Sequence, residues 1–107
     1  VRTALADARI KTVLIGNAQE VEPAHCTVLS WILREAATNV LRHAHATTCW
    51  IRIAPGLLGV EDDGDSLAGS REGHGMRGMR ERARLAGAHL EIGDSACGGT
   101  RVAVSWE

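Results

Sequence analysis

The sequence predicts an α+β domain, a two-layer α/β sandwich in which a mixed β-sheet is covered on one face by helices. Three observations predict it. A long stretch after Pro23 carries apolar residues at helical spacing. Short β-patterned runs follow it in pairs, joined by tight turns at Pro55-Gly56 and Gly98-Gly99. A second helical stretch, Met76 to Ala86, separates the two pairs. The order is strand, long helix, hairpin, loop, helix, hairpin. Hairpins make neighbouring strands antiparallel, so the sheet is mixed, and amphipathic helices bury their stripes on one face of it.

Residues 1–9 are short and Ala-rich and read as a helical lead-in. Lys11 to Ile15 (KTVLI) reads as a strand, with Gly16-Asn17 as the turn after it. Pro23 suits the first position of a helix. From there Val28, Ile32, Ala36, Val40 and Ala44 recur every fourth residue, flanked by Leu29, Leu33, Ala37 and Leu41. This stripe is wide enough to pack on a sheet, and the helix is expected to reach about Ala46. Thr48 to Ala54 alternates, Cys49, Ile51 and Ile53 on one side and Trp50 and Arg52 on the other. After Pro55-Gly56, Leu57 to Asp62 closes a hairpin. Gly64 to Gly75 lacks periodicity and reads as a mobile loop. Gly87 is the expected stop for the helix from Met76. Ala88 to Ile92 and Thr100 to Trp106 form the last hairpin.

The chain has 107 residues, enough for one domain and too few for two. With three Trp and no Phe or Tyr, its core is built from Val, Ile, Leu and Ala. The net charge of −1 leaves no footprint for nucleic acid. Eleven of the twelve basic residues are Arg, a pattern open to phosphate binding or to coding bias. Cys26, Cys49 and Cys97 show no CxxC spacing, which argues against a zinc site or a disulfide framework. Cys26 and Cys49 read as core thiols, in keeping with a reducing compartment. No apolar run reaches the roughly 18 residues of a membrane span, and no signal peptide is visible. The chain starts at Val1 without an initiator Met and reads as a piece of something longer.

Three segments carry candidate chemistry. Glu35, Asn39 and His43 lie at i, i+4 and i+8, one polar stripe on the long helix, with Arg42 beside it. Such a stripe is also what a solvated helix face looks like. Asn is a poor helix-interior residue, however, because it competes for backbone hydrogen bonds. Val60 to Gly64 (VEDDG) sets acids at the end of an apolar strand. It can be a plain turn, or Asp62 can accept a hydrogen bond from an exocyclic amine. A charge-assisted bond is worth roughly 1.5–3 kcal/mol, enough to select a base. Gly73 to Gly78 (GHGMRG) opens a helix, whose free N–H groups and dipole suit phosphate. Its spacing matches GxGxxG, but no strand precedes it, which argues against a dinucleotide site.

The order of these segments is specific. ExxxNxxRHA, then DxG, then GHGMRGMRER and a terminal Gly99-Thr100 strand together resemble the Bergerat-fold ATP-binding domain of histidine kinases, gyrase B and MutL. The segments REAATNVLRHA and GHGMRGMRERARLAGAHLEI look most like the sensor histidine kinases related to nitrate and membrane-fluidity sensors. The resemblance runs from about Lys11 to Trp106.

The resemblance implies ATP and Mg²⁺ as ligands. It makes Asn39 the magnesium residue and Glu35 the general base for phosphoryl transfer to histidine. Arg42 and His43 become the basic pair near the phosphates. Asp62 becomes the adenine reader, with Gly64 allowing close approach of the base. Gly73, Gly75 and Gly78 become the hinge of a lid over the phosphates, with Met76, Arg77 and Met79 in the same ATP-binding segment. Thr100 supports the adenine Asp through water. The family pattern DxGxG ends here in Ser66. If that position needs positive φ, Ser costs roughly 1–2 kcal/mol, about five- to thirtyfold in affinity. The implied phosphoacceptor histidine lies on a separate dimerisation domain, with residues 1–10 as its lead-out and a response regulator downstream. The implied location is the cytoplasm, as a domain of a sensor of the kind that can be membrane-anchored, with no membrane contact by the domain itself. The isolated chain is expected to be a monomer that binds nucleotide without phosphorylating itself. A sigma-factor-sequestering serine kinase of the same fold and a degenerate nucleotide-binding scaffold remain as alternatives.

Overall fold

A computed structural model describes residues 9–17, 22–43, 45–65, 74–96 and 98–106. Five strands and two helices are formed: β1 Lys11–Ile15, α1 Pro23–His43, β2 Thr48–Ala54, β3 Leu57–Asp62, α2 His74–Leu85, β4 His89–Asp94 and β5 Thr100–Ser105. The strands make one sheet in the order β1-β2-β3-β5-β4. β1 and β2 run parallel, and the other neighbours are antiparallel. The parallel pair follows from α1, which carries the chain back over the sheet between them. The expected mixed sheet and α+β sandwich are present. The lead-in over residues 1–8 lies outside the described residues.

Period-two alternation decides which side chains face the helices. On β2 these are Cys49 and Ile51, on β3 Leu58 and Val60, on β5 Val102 and Val104, all buried. They meet Leu29, Ile32, Ala36 and Val40 of α1 and Met76, Met79 and Ala83 of α2 in one core. Trp31 bridges the helices: its ring lies 4.2 Å from the Arg82 guanidinium carbon. α2 ends as expected at Gly87, whose φ is +72°. There the Ala88 N–H bonds the Ala83 carbonyl at 2.9 Å, closing the last turn. Trp106 clasps three elements. Its ring stacks on His25 at 3.8 Å, its indole N–H bonds the Ala86 carbonyl and its backbone N–H bonds the Gly56 carbonyl.

Some boundaries and burials differ from expectation. α1 stops at His43, and His45 takes a left-handed φ of +52° that turns the chain toward β2. α2 starts two residues before Met76. The last hairpin is shifted, β4 running to Asp94 and β5 stopping at Ser105. Cys26 is exposed rather than a core thiol. It sits in the first turn of α1, and its thiol reaches the Glu22 carbonyl at 3.6 Å. Leu41, at the far edge of the apolar stripe, is also exposed.

Candidate functional site

The inward set of β3 is Leu58, Val60 and Asp62, so strand alternation itself drives a carboxylate into the core face. Asp62 is 2 % exposed. On β5 the matching set is Thr100, Val102 and Val104, and the β3–β5 register places Asp62 beside Thr100. The carboxylate accepts the Gly64 N–H at 2.9 Å on Oδ1, and it also accepts the Thr100 backbone N–H. Support from Thr100 is therefore a direct backbone bond. Burial pushes the Asp62 carboxyl above its ordinary value, and the two amides pull it back in part.

Above Asp62 stands α1. Asn39 and Ala36 lie over Val60, Asp62, Thr100 and Val102 around a cleft of about 10 Å³, the space of a single water. Glu35 is half-buried one turn before Asn39. The helix geometry thus brings Asn39, the middle member of the predicted polar stripe, to the end of the strand bearing the predicted acid. Arg42 and His43 occupy the last turn of α1, but their side chains lie outside the described residues, as do Ser66 and Gly73.

α2 begins at His74, so the free N–H groups of its first turn belong to residues 74–77, Gly75, Met76 and Arg77 among them. Arg77 is exposed, whereas the Met76 and Met79 side chains are in the core. Of the two, only Met76 can offer a ligand a free backbone N–H. Gly78 lies inside the helix instead of at a loop hinge. A Cβ there would come within 2.7 Å of the Trp31 ring, so Gly78 lets α2 close on α1.

The sequence reading missed two supports of the site. Gly99 is the first. A Cβ on Gly99 would overlap Asp62 Oδ1 and the Asp62 carbonyl oxygen, so only glycine lets the β4–β5 turn pass this close. The signal was the doubled glycine: Gly98, at φ +101°, already serves the turn, and Gly99 has no such need. Asp63 is the second. It points away from Asp62. One of its oxygens accepts the N–H groups of Thr47 and Thr48, both at 2.9 Å, and the other takes the Thr47 hydroxyl at 2.6 Å. These bonds, the Thr47 hydroxyl first, hold its carboxyl below the ordinary value.

A larger concavity, about 340 Å³, lies on the helix-free face of the sheet around Trp50, Gly59 and Arg101. It contains none of the predicted residues. The narrow cleft has the buried carboxylate with oriented amides, and that is the feature a ligand-reading site needs.

No family model matches the chain. Curated relatives do. Sensor histidine kinase DesK of Bacillus subtilis is 39% identical over 72 residues, 61% of this chain and 20% of the relative. The histidine-protein kinase/phosphatase UhpB of Salmonella typhimurium is 33% identical over 105 residues, 92% of this chain and 19% of the relative. This chain is related to the sensor histidine kinases. Solved structures show the same fold. The ATP-binding domain of PrrB from Mycobacterium tuberculosis superposes with a TM-score of 0.73 at 17% identity, covering 95% of this chain and 83% of that one. The cytoplasmic segment of histidine kinase QseC gives 0.74 at 23% identity, covering 98% and 62%. The histidine-kinase-type domain described here spans about a fifth of the length of the curated relatives it matches. None of its described helices is long and apolar enough to cross a membrane.

Proposed function

We propose that this chain is the ATP-binding catalytic domain of a sensor histidine kinase, presenting Mg-ATP for phosphoryl transfer to a histidine on a separate dimerisation domain. The observation that carries the reading is Asp62: a carboxylate 2 % exposed, held by two backbone amides, at the floor of a cleft roofed by Asn39. A buried carboxylate with free acceptor capacity suits the exocyclic amine of adenine. Gly64 and Gly99 keep bulk away from it, and the Thr100 amide fixes its orientation.

The remaining roles follow from position. Asn39 offers an amide oxygen at the rim of the cleft, and Glu35 stands one turn earlier as the general base. Arg42 and His43, on the next turn, would serve the phosphates. The first turn of α2, with Gly75, Met76 and Arg77, is the phosphate-side segment, and Gly73 precedes it in the same motif, while Gly78 and Met79 hold that helix against the core. Among the described residues no three His, Cys, Asp or Glu side chains gather as a metal site. Magnesium fits this site because it keeps most of its waters and takes few protein ligands. Bound with the nucleotide, the ion would neutralise charge developing on the transferred phosphoryl group. The acceptor histidine and a response regulator belong to other domains or chains, and the intact protein would work at the cytoplasmic side of a sensor.

The test is equilibrium binding of ATP with magnesium and with EDTA, on wild type and Asn39→Ala. Binding that needs magnesium in wild type and loses that dependence in the variant supports the reading. Wild-type binding indifferent to EDTA contradicts the role of Asn39. Incubation of the isolated chain with γ-labelled ATP should leave it unlabelled.

A further inference from the structure

The geometry points to His45 and Asp65 as a positioning pair for the adenine-reading carboxylate, a role that rests on the nucleotide reading above. His45 Nδ1 lies 2.7 Å from Asp65 Oδ2. A carboxylate only accepts, so Nδ1 carries the hydrogen. The pair joins two chain segments that also meet at Thr47 and Asp63. Within the sheet Cys49 is already opposite Asp62. Thr47 with Asp63 and His45 with Asp65 thus form two side-chain rungs that carry the β2–β3 pairing beyond the strand ends.

Gly64 sits between the rungs. Asp63 is tied on one side of it and Asp65 on the other, and its N–H is the donor at 2.9 Å to Asp62 Oδ1. Glycine is the residue most able to swing out of such a contact. Fixing both neighbours holds the N–H on Asp62, and through it the orientation of the carboxylate. The pair never touches the ligand itself. It acts through Gly64 and Asp62.

Backbone conformation gives an independent argument. His45 has φ +52°, a region that glycine occupies freely and that other residues, histidine more often than most, enter only at some cost. For the backbone alone glycine is the better residue at this bend. What histidine adds is its ring nitrogen on Asp65. Both side chains are largely exposed, 85% and 68%, so the pair is a modest contributor.

Three variants, His45→Gly, His45→Asn and Asp65→Ala, separate positioning from simple folding. The probes are ATP and inosine triphosphate, whose ring has a carbonyl oxygen where adenine has the amine. In His45→Gly and Asp65→Ala the Kd for ATP should rise about two- to fivefold, with the Kd for inosine triphosphate nearly unmoved. The double variant His45→Gly/Asp65→Ala should be no worse than the more affected of the two singles. His45→Gly should keep or raise the wild-type melting temperature, because strain is relieved. His45→Asn should restore affinity, since asparagine tolerates left-handed φ and its amide N–H sits where Nδ1 did. Unchanged ATP binding in both disrupted variants, with wild type binding ATP, overturns the pair alone. An equal loss for both nucleotides with a lowered melting temperature overturns it too, because that is a folding effect. No wild-type binding of ATP overturns the nucleotide reading and the pair with it.

Discussion

Replacing Gly99 by alanine puts a methyl group where Asp62 already is. The added Cβ would overlap Asp62 Oδ1 and its carbonyl oxygen and come within 2.8 Å of its carbonyl carbon. Two of these atoms are backbone at the end of the central strand, so neither side can step aside cheaply. Overpacking of this kind costs about 1–3 kcal/mol. Moving the carboxylate also strains its bond with the Thr100 amide, and leaving that amide unpaired in a buried place costs about 1–3 kcal/mol more. A total of about 2–6 kcal/mol, at about 4–8 °C for each in a domain of this size, lowers the melting temperature by at least about 8 °C. Circular dichroism melts measure it, with Gly93→Ala as the control. A Cβ at Gly93 would meet nothing within 4 Å, so that variant should stay within about 1 kcal/mol of wild type. Gly99→Ala with a wild-type melting temperature and undiminished ATP binding would refute the argument that Gly99 exists to make room for Asp62.

Gly78→Ala presses on the Trp31 ring 2.7 Å away. Its cost of about 1–3 kcal/mol is partly offset by the better helix propensity of alanine, so a smaller loss than for Gly99→Ala should appear in the same melts. Asp62 and Asp63 should give opposite pH dependences. The Asp62 carboxyl is raised in the folded state, so its contribution is fully present below the unfolded value of 3.8 and is lost as pH rises through the folded one. Asp62→Asn should therefore gain on wild type in melting temperature as pH climbs through that window, and a gap independent of pH would contradict this. The Asp63 carboxyl is lowered, so its contribution is present above 3.8 and lost as pH falls through the folded value. Asp63→Asn should flatten the acid limb of the stability curve, and an unchanged limb would count against its anchoring of Thr47 and Thr48. Burial, then Asp62 and Asp63, pushes the Cys49 thiol up to about 12. Alkylation at pH 8 followed by mass spectrometry should find Cys26 modified and Cys49 protected until the chain unfolds, and early labelling of Cys49 would contradict its placement.

Periodicity made the layers of this fold legible. The alternation of Cys49, Ile51 and Ile53 and the fourfold recurrence from Val28 to Val40 are local signals, and the elements they predict all form. The two turn glycines, Gly56 and Gly98, were legible for the same reason: their positive φ is a local demand. Asp62 could be singled out because an acid closing an apolar strand is anomalous in one dimension. Gly99 could not, since its reason is an atom of Asp62 more than thirty residues away in sequence. Gly78 was read as loop chemistry because its packing partner, Trp31, is likewise distant in sequence. His45 broke the expected run of α1 toward Ala46: its ring bonds Asp65, and no local propensity signals that contact. Met76 and Met79 match a nucleotide segment by motif, yet their side chains fill the core. A motif shared with a family mixes residues that touch ligand with residues that hold the helix in place.

The central claim is that Asp62 reads the adenine of Mg-ATP, and calorimetric titration of wild type beside Asp62→Asn tests it most directly. Wild type should release heat and saturate at millimolar Mg-ATP or below. The variant has an amide N–H₂ in place of one carboxylate oxygen, and it should lose roughly tenfold or more in affinity while still folding cooperatively. Saturable binding of equal strength in both proteins, or no binding by wild type at millimolar Mg-ATP, would contradict the account.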